Sequence, residues 1–266
     1  MHAPVSVSII DPDLLMLAYR SGIFPMADAR DDPEIFWVEP RMRAVLPLDG
    51  LRVARSLART LRRGRYRVTC NTAFANVLAA CAAPRAGAAD SWISERIAAS
   101  YRLLHARDAA HSIECWDGET LVGGLYGVGF DRVFCGESMF SRATDASKVA
   151  LVWLVAALRR AGCELLDCQF MTDHLASLGA IEITQQAYLE RLRDAQREDG
   201  VGLGAVGLGA VGLGAAGLAE AKTEGEGDGA AAGLPAGFAA LLGEADACAA
   251  SSSPGNFIAQ LFTQTS

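Results

Sequence analysis

Segments typical of strands and segments typical of helices alternate between residues 66 and 170, and this alternation limits the possible folds more than any other feature of the chain. Two apolar runs flank Asp117-Gly118, a dipeptide that favours a tight turn, so they predict a β-hairpin. The predicted strands are residues 66–69, 112–116, 120–128, 133–140 and 164–170, and the predicted helices are residues 73–83, 93–106 and 148–161. We therefore expect an α+β fold around a central sheet.

The segment before this alternation predicts a smaller leading unit. Residues 12–20 read as a short helix, because Asp11 can cap it and Pro12 suits its first turn. Short strands are predicted at residues 36–37 and 44–46, and a helical run at residues 51–61. We expect residues 1–65 to form a small N-terminal domain and residues 66–196 to form the larger domain.

The character of the sequence changes after residue 196. Residues 201–219 repeat a Gly-Leu-Gly-Ala-Val unit without a charged residue, a length close to that of a membrane-spanning helix. Seven of these 19 residues are glycine, and each glycine costs a helix roughly 0.8–1 kcal/mol. A flexible insert is therefore favoured over a membrane span. We expect residues 197–252 to be a low-complexity disordered insert, and residues 253–266 to hold a C-terminal strand that rejoins the larger domain.

Cysteine usage and the first residues indicate a cytoplasmic protein. The seven cysteines include no Cys-x-x-Cys pair, which argues against a zinc site or a thioredoxin-like redox pair. Residues 1–13 lack the basic and apolar regions of a secretory signal. No zinc site and no membrane partner are expected.

A cluster of arginines lies between residues 41 and 67. Nine arginines against one aspartate give this segment a charge of +8, although the whole chain carries −7. Several of them recur at three- and four-residue steps and so share one helix face. A one-signed face suits phosphate binding, whereas a merely solvated face normally mixes charges. The candidate nucleic-acid contacts on this face are Arg52, Arg55, Arg59, Arg62 and Arg63.

Three polar residues lie within apolar, strand-like runs. Asp167 and Gln169 alternate along one predicted strand and should share a face, and Glu137 lies in the preceding strand. Buried polar groups must find partners, so these residues form either a hydrogen-bonded core group or the lining of an active site. Trp37 and Trp92 lie near strand or loop edges, where an indole could stack on an unpaired base or pack in the core.

Several catalytic signatures do not occur in the sequence, including a Walker A loop, His-Glu-x-x-His and Gly-x-Ser-x-Gly. The segment Arg197-x-x-Gly200-x-Gly202 matches the phosphate-binding pattern of acetyl-coenzyme A enzymes, but it opens the repeat and follows no convincing strand. We interpret this match as chance. An acetyl-coenzyme A-dependent N-acetyltransferase remains an alternative.

Eight motifs in order resemble those of the leucyl/phenylalanyl-tRNA protein transferase family, and they span about residues 11–192. The most specific are Gly-Glu-Ser-Met-Phe-Ser at residues 136–141 and Asp-Cys-Gln at residues 167–169. The others include Tyr-Arg-Ser-Gly-Ile-Phe-Pro at residues 19–25, His-Ser-Ile-Glu-Cys-Trp at residues 111–116 and Asp-His-Leu-Ala-Ser-Leu-Gly-Ala at residues 173–180.

The resemblance implies a small N-terminal domain followed by a GNAT-like acyltransferase domain with a central mixed sheet. It implies transfer of Leu, Phe or, less well, Met from aminoacyl-tRNA to proteins that begin with Arg or Lys. The added residue would mark the protein for degradation in the bacterial cytosol. The resemblance also implies a monomer that needs no cofactor and no metal, because an aminoacyl ester is already activated. A family member that binds tRNA without catalysing transfer is the second alternative.

The resemblance also implies roles for individual residues. Trp37 and Trp92 would contact the terminal adenosine, and Arg52–Arg63 would hold the acceptor stem. Glu137, Asp167 and Gln169 would surround the reacting ester and amine. We expect Gln169 to hydrogen-bond the amine and Asp167 to orient Gln169 and accept the charge. Glu137 would attract the basic acceptor terminus or help to neutralise it. A ribose hydroxyl of the tRNA is an alternative proton relay. The apolar pocket for the transferred side chain would consist of Leu125, Phe134, Met139, Leu158 and Leu166.

Overall fold

The computed structural model describes residues 9–84, 91–197, 233–247 and 253–263, and its largest element is a seven-stranded sheet. The helices are α1 Pro12–Arg20, α2 Arg55–Arg62, α3 Phe74–Cys81, α4 Glu95–Ala106, α5 Ala146–Arg160, α6 Asp173–Ser177, α7 Gln185–Ala195, α8 Gly233–Ala247 and α9 Pro254–Thr263. The strands are β1 Phe24–Met26, β2 Phe36–Val38, β3 Met42–Val45, β4 Arg67–Cys70, β5 Ala110–Asp117, β6 Thr120–Phe130, β7 Val133–Ser141, β8 Leu165–Gln169 and β9 Ile181–Thr184. The predicted α+β class with a mixed sheet is confirmed.

The large sheet runs in the order β4-β5-β6-β7-β8-β3-β9. Its pairs are antiparallel apart from the parallel pair β7 and β8. Short turns join β5 to β6 and β6 to β7, as antiparallel neighbours allow. That pair is aligned over three residues and ends at Cys135 opposite Asp167. Both strands continue beyond this point, β7 paired with β6 and β8 paired with β3. The sheet therefore opens between β7 and β8 on the side where Glu137 and Gln169 lie.

Helix α5 is buried almost all round. Its residues from Ala146 to Leu158 are buried, apart from Lys148, and pack on the sheet through a core that includes Leu125, Leu154 and Leu166. A helix that is apolar all round must be covered on both sides, and α8 supplies the second cover. The backbone of Gly237 comes so close to Ala157 that a Cβ atom there would lie 2.4 Å from the Ala157 carbonyl oxygen.

The opposite face of the sheet holds a second core, formed with α1, α3, α4 and α7. The predicted cap of α1 is confirmed, since Asp11 accepts hydrogen bonds from the backbone of Asp13 and Leu14. β1 and β2 form a separate two-stranded sheet beside it. β3, which was predicted within the small N-terminal unit, instead lies between β8 and β9 of the large sheet.

The prediction of a C-terminal strand is wrong, because residues 254–263 form helix α9. Phe257, Ile258, Leu261 and Phe262 are spaced for a helix face and pack against the core around α5. Helix α8 also lies within the stretch predicted to be disordered. The Gly-Leu-Gly-Ala-Val repeat lies outside the described residues. Among the described helices, none has the length and apolar character needed to cross a membrane.

Candidate active site

A cavity of about 410 Å³ lies where β7 and β8 separate. One part of its wall is apolar, with leucines from β6, α5, β8 and α6 and the side chain of Met139. Another part is polar and includes Glu137 and Gln169. The lining leucines are Leu125, Leu151, Leu154, Leu166 and Leu175, and Trp92 and Phe170 are also in the wall. A concave site with an apolar body and a few converging polar groups is typical of a small-molecule binding site.

Glu137 accepts three hydrogen bonds from residues that lie far apart in the chain. The hydroxyl groups of Tyr19 and Tyr101 donate to its two carboxylate oxygens at 2.8 and 2.9 Å, and the side-chain amide of Gln169 donates at 3.0 Å. Burial raises the pKa of Glu137 to about 7, although these hydrogen bonds act in the opposite direction. Glu137 can therefore exchange a proton near neutral pH.

Asp167 forms a buried ion pair with Arg43. The guanidinium Nη2 lies 2.6 Å from one carboxylate oxygen, and the exposed fractions of the two side chains are 2% and 0%. Tyr188 donates a further hydrogen bond to Asp167 at 3.0 Å, and the guanidinium lies over the rings of Phe24 and Tyr188. Burial alone would lower the pKa of Arg43, but the charge of Asp167, its hydrogen bonds and the nearby Tyr188 together leave the pKa raised. Each of these two buried charges therefore has its counter-charge, and removing either one would leave the other uncompensated.

Gln169 connects these two groups. Its φ of 62° lies in the left-handed region, which is uncommon for a residue other than glycine and marks the end of β8. Its backbone N–H donates to Asp167 at 2.8 Å, while its side-chain amide points to Glu137. Gln169 and Glu137 line the cavity, whereas Asp167 does not. Asp167 therefore contacts Gln169 through the Gln169 backbone, and Glu137 is the carboxylate that contacts the Gln169 side chain. Glu137, and not Asp167 as expected, is the carboxylate placed in the cavity wall to accept charge.

The structure brings most of the residues predicted for the apolar pocket to one place. Leu125, Met139 and Leu166 line the cavity. Phe134 and Leu158 do not line it, and lie in the adjoining core with exposed fractions of 1% and 0%. Trp92 lies in the cavity wall, whereas Trp37 is 40% exposed on β2 and is not part of that wall.

Four residues of the site were missed from the sequence. Tyr19, Tyr101, Arg43 and Tyr188 hold Glu137 and Asp167, and they come from α1, α4, β3 and α7. Arg43 was counted with the basic cluster, but it is buried. Its place in the short apolar run 42–46 was a signal, because a buried arginine requires an acidic partner.

The predicted basic face of α2 is exposed. Leu57, Ala58 and Leu61 are the buried side of the helix, and the arginines occupy its other side. Arg59 and Arg62 lie in its last turn, where a positive charge interacts favourably with the helix dipole. Arg52 precedes α2 and is exposed too, as are Arg55 and Arg63.

The described residues show no metal site, and the cysteine in the cavity wall is a poor nucleophile. No group of three potential metal ligands comes together in the part of the chain that the structure describes. Cys168 lines the cavity, but burial raises the pKa of its thiol far above neutral pH. A protonated thiol is a poor nucleophile, so Cys168 is better suited to shaping the cavity wall.

Comparison with known proteins matches most of the described chain. Residues 45–193 match the family model described as leucyl/phenylalanyl-tRNA protein transferase, and residues 9–41 match that of its N-terminal domain. A protein named leucyl/phenylalanyl-tRNA protein transferase from Novosphingobium aromaticivorans is 63% identical, over 97% of each chain. Proteins of the same name from Rhizorhabdus wittichii and Zymomonas mobilis are 57% and 54% identical, over 69% and 71% of this chain and 74% and 70% of their own. The chain therefore belongs to the leucyl/phenylalanyl-tRNA protein transferase family, and it is an aminoacyltransferase.

Proposed function

We propose that this enzyme transfers leucine, phenylalanine and, less well, methionine from aminoacyl-tRNA to the N-terminal arginine or lysine of acceptor proteins. The observation that carries the proposal is the cavity, whose apolar wall lies next to the polar pair Glu137 and Gln169. The transferred residue would mark the acceptor for proteolysis, in the bacterial cytoplasm and with the enzyme acting as a monomer.

The apolar wall suits the side chain of the transferred residue. Leu125, Met139, Leu151, Leu154 and Leu166 offer no polar group to it. In such a pocket, one methylene more or less changes the binding free energy of a substrate by only about 1–3 kcal/mol. Methionine is flexible and adapts to the shape of its neighbour, so Met139 lets one cavity accept both a branched and an aromatic side chain.

The polar part of the wall suits the reaction itself. An aminoacyl ester is already activated, so the acceptor amine attacks the ester carbonyl carbon, the ester bond breaks and the ribose oxygen leaves. The amine must also lose a proton. In our proposal the Gln169 carbonyl oxygen holds the amine, Glu137 accepts its proton, and the ribose oxygen takes a proton as it leaves. Most of the rate enhancement then comes from positioning, which Asp167 and Arg43 secure by fixing the backbone of Gln169.

The remaining assignments concern the tRNA. We propose that Trp92, in the cavity wall, stacks on the terminal adenine, with Trp37 as a further contact nearer the surface. The exposed arginines beside and on α2 would bind phosphates of the acceptor stem. Neutralised phosphates release counterions, so this binding should weaken as the salt concentration rises.

Transfer of radiolabelled leucine from leucyl-tRNA to a peptide beginning with Arg tests this function. We expect transfer by the wild type and none to the same peptide with an acetylated N-terminus, because the amine is then blocked. Gln169→Ala should reduce kcat by about 10²–10³-fold, the typical cost of removing one positioned polar group from an active site. A wild-type enzyme that binds tRNA without transferring leucine would instead be a binding module.

A further inference from the structure

Helix α2, which carries the basic face, has little in its own sequence to hold it together. It is eight residues long, its N-cap Ala54 forms no side-chain hydrogen bond, and its first turn has no acidic residue. Isolated helices shorter than about 12–15 residues are marginal in water even with good helix formers. Helix α2 therefore depends on the elements that pack against it.

The arginines of α2 add to this dependence. Arg59 lies four residues from both Arg55 and Arg63, and three residues from Arg62. Each like-charge pair at such a spacing lowers the equilibrium constant for helix formation by a factor of roughly 1.4–2.3. None of these four arginines forms an ion pair with a carboxylate among the described residues. The repulsion between them is therefore not relieved within that part of the chain.

Helix α9 lies against the side of α2 opposite the arginines. A Cβ atom at Gly255 would lie 2.1 Å from the Leu61 carbonyl oxygen, so the two backbones are in direct contact. Leu57 and Leu61 on the buried side of α2 share a core with Ile258 of α9. Of the described helices, α9 has the most extensive contact with α2. Helix α9 is therefore the main helical support of the basic face.

Helix α9 is itself anchored to α5. Ile258 and Ala259 have exposed fractions of 0% and belong to the core around α5. The Arg159 guanidinium of α5 lies over the Phe262 ring, 5.4 Å from its centroid. Ser253 caps the first turn of α9 by accepting a hydrogen bond from the Asn256 N–H at 3.3 Å. These contacts do not involve α2, so α9 can serve as a fixed base for it.

Helix α9 does not reach the cavity of about 410 Å³. Every residue in the wall of that cavity lies between Trp92 and Leu175, whereas α9 is Pro254–Thr263. A change in α9 should therefore alter the basic face of α2 without altering the reacting groups. The residues matched by the family models also end before α9, so the match assigns it no role.

We propose that α9 is the positioning element of the tRNA-binding face: its contact with α2 at Gly255 and Leu61 holds the arginines on one face, so that docking of α9 and binding of tRNA strengthen each other. Bound phosphates neutralise the arginines and remove their repulsion, which stabilises α2 against α9. Coupling between two such equilibria is reciprocal, so docking of α9 favours phosphate binding by the same factor. This inference rests on the tRNA-binding part of the proposed function.

Two leucyl donors of different length test the positioning role. Leucyl-tRNA reaches the basic face, whereas leucyl-adenosine fills only the cavity. In Gly255→Ala the KM of leucyl-tRNA should rise about five- to eightfold at 0.1 M salt, the counterion contribution of one phosphate contact. The KM of leucyl-adenosine and kcat for both donors should stay unchanged. A merely structural loss would affect both donors alike.

Gly243→Ala is the matched control, because it adds the same methyl group to α8 where a Cβ atom would meet nothing within 4 Å. It should leave the KM of both donors unchanged. The proposal is overturned if Gly255→Ala raises the KM of both donors equally, or of neither.

Hydrogen exchange of the α9 amides in the wild type tests the coupling without any change to α9. Saturating uncharged tRNA should slow this exchange by the same five- to eightfold factor, and by more than it slows exchange in α7. Arg59→Gln should slow the exchange about threefold in the absence of tRNA, because three repulsions of about 1.4-fold each are removed. Arg191→Gln, which removes an exposed arginine from α7, should leave it unchanged.

These measurements separate the coupling from the transfer reaction. If the wild type transfers no leucine while tRNA slows exchange in α9, the proposed transfer fails and the coupling stands. If transfer is active and bound tRNA leaves exchange in α9 unchanged, the coupling fails and the transfer stands.

Discussion

Glu137 combines deep burial with three hydrogen-bond donors, and its pKa of about 7 places its titration near physiological pH. In our mechanism the ionised carboxylate accepts the proton of the acceptor amine. We therefore expect kcat/KM of the wild type to rise as the pH increases through about 7. Glu137→Gln cannot ionise, so it should be less active and should lack this rise. The kcat/KM of Glu137→Gln should still increase near pH 8, because the acceptor amine, whose ordinary pKa is about 8, loses its proton there. Superimposable pH profiles for the two enzymes would contradict this role.

The same carboxylate affects folding. Its pKa lies near 4.5 in the unfolded chain and at about 7 in the folded one, so the folded state binds more protons between these values. The free energy of unfolding contributed by Glu137 therefore falls as the pH rises from about 4.5 to 7 and is level above that range. Urea denaturation at several pH values should show Glu137→Gln gaining stability relative to the wild type across this window. If the difference in the free energy of unfolding between Glu137→Gln and the wild type does not vary with pH, the pKa of Glu137 is not raised by folding.

Arg43 and Asp167 should depend on each other. Arg43→Met leaves Asp167 buried without its cation, and breaking a buried ion pair in this way typically costs about 3–5 kcal/mol. Adding Asp167→Asn to this variant removes the uncompensated charge and should restore part of the lost stability. Urea denaturation of the single and double variants measures both effects. An Arg43→Met variant no less stable than the surface control Arg191→Gln would mean that the pair does not matter for stability.

At this scale the sequence identifies the acidic and amide groups of the site but not their partners. Glu137, Asp167 and Gln169 stand out because polar residues in apolar strand-like runs need partners. Those partners lie far away in the chain: Tyr19 is 118 residues from Glu137, and Arg43 is 124 residues from Asp167. No local pattern reports such a distance. Phe134 and Leu158 show the same limit, because apolar residues in a cavity wall and in the core behind it look alike in sequence.

Helix α2 should contribute to tRNA binding through charge and not through base recognition. Each phosphate contact adds roughly 0.7–0.9 to the slope of log affinity against log salt. We expect Arg59→Gln and Arg62→Gln each to weaken tRNA binding and to lower this slope by about one. Filter binding over a range of KCl concentrations measures it. Arg191→Gln on α7 is the control, and an equal loss in that variant would mean that only overall charge matters.

Helix α9 rests on α2 through a contact that leaves no room for a side chain. A Cβ atom at Gly255 would lie 2.1 Å from the carbonyl oxygen of Leu61. Gly255→Ala should therefore push α9 away from α2 and lower the thermal unfolding temperature.

Gly243 in α8 offers a matched control, because a Cβ atom there would meet nothing within 4 Å. Gly243→Ala should stabilise α8 by up to about 1 kcal/mol, since alanine is the better helix former. If both alanine variants behave alike, the close contact between α9 and α2 is not as described.

Elements were predictable where their periodicity was long and their end signals were strong. The hairpin around Asp117-Gly118 and helices α1 and α5 follow such signals. The apolar residues of 254–263 have helical spacing and pack on the core formed by α5 and α2, so the segment forms a helix. The segment alone is too short for its pattern to distinguish a helix from a strand. Helix α8 was not predicted, because alanine and glycine dominate the sequence around it and indicate disorder. Its role as a cover for α5 appears only in three dimensions.

For the whole molecule, the sequence is sufficient for the α+β class, the central sheet and the family. The GNAT-like character of the larger domain remains a prediction, as do the divisions at residues 65, 196 and 252. Strand β3 could not be placed from sequence, because hydrogen bonding to β8 and β9 joins segments more than 120 residues apart. The residues matched by the family models end at residue 193, so α8 and α9 lie beyond them.

The position of β3 between β8 and β9 has a consequence for synthesis on the ribosome. Met42–Val45 leaves the exit tunnel early, but its two partner strands are among the last elements of the large sheet to emerge. Until then Arg43 has no counter-ion and Gln169 has no fixed backbone. A nascent chain therefore cannot carry a working centre before β8 and β9 have left the tunnel. Enzymatic competence comes only after the sheet closes around its earliest strand.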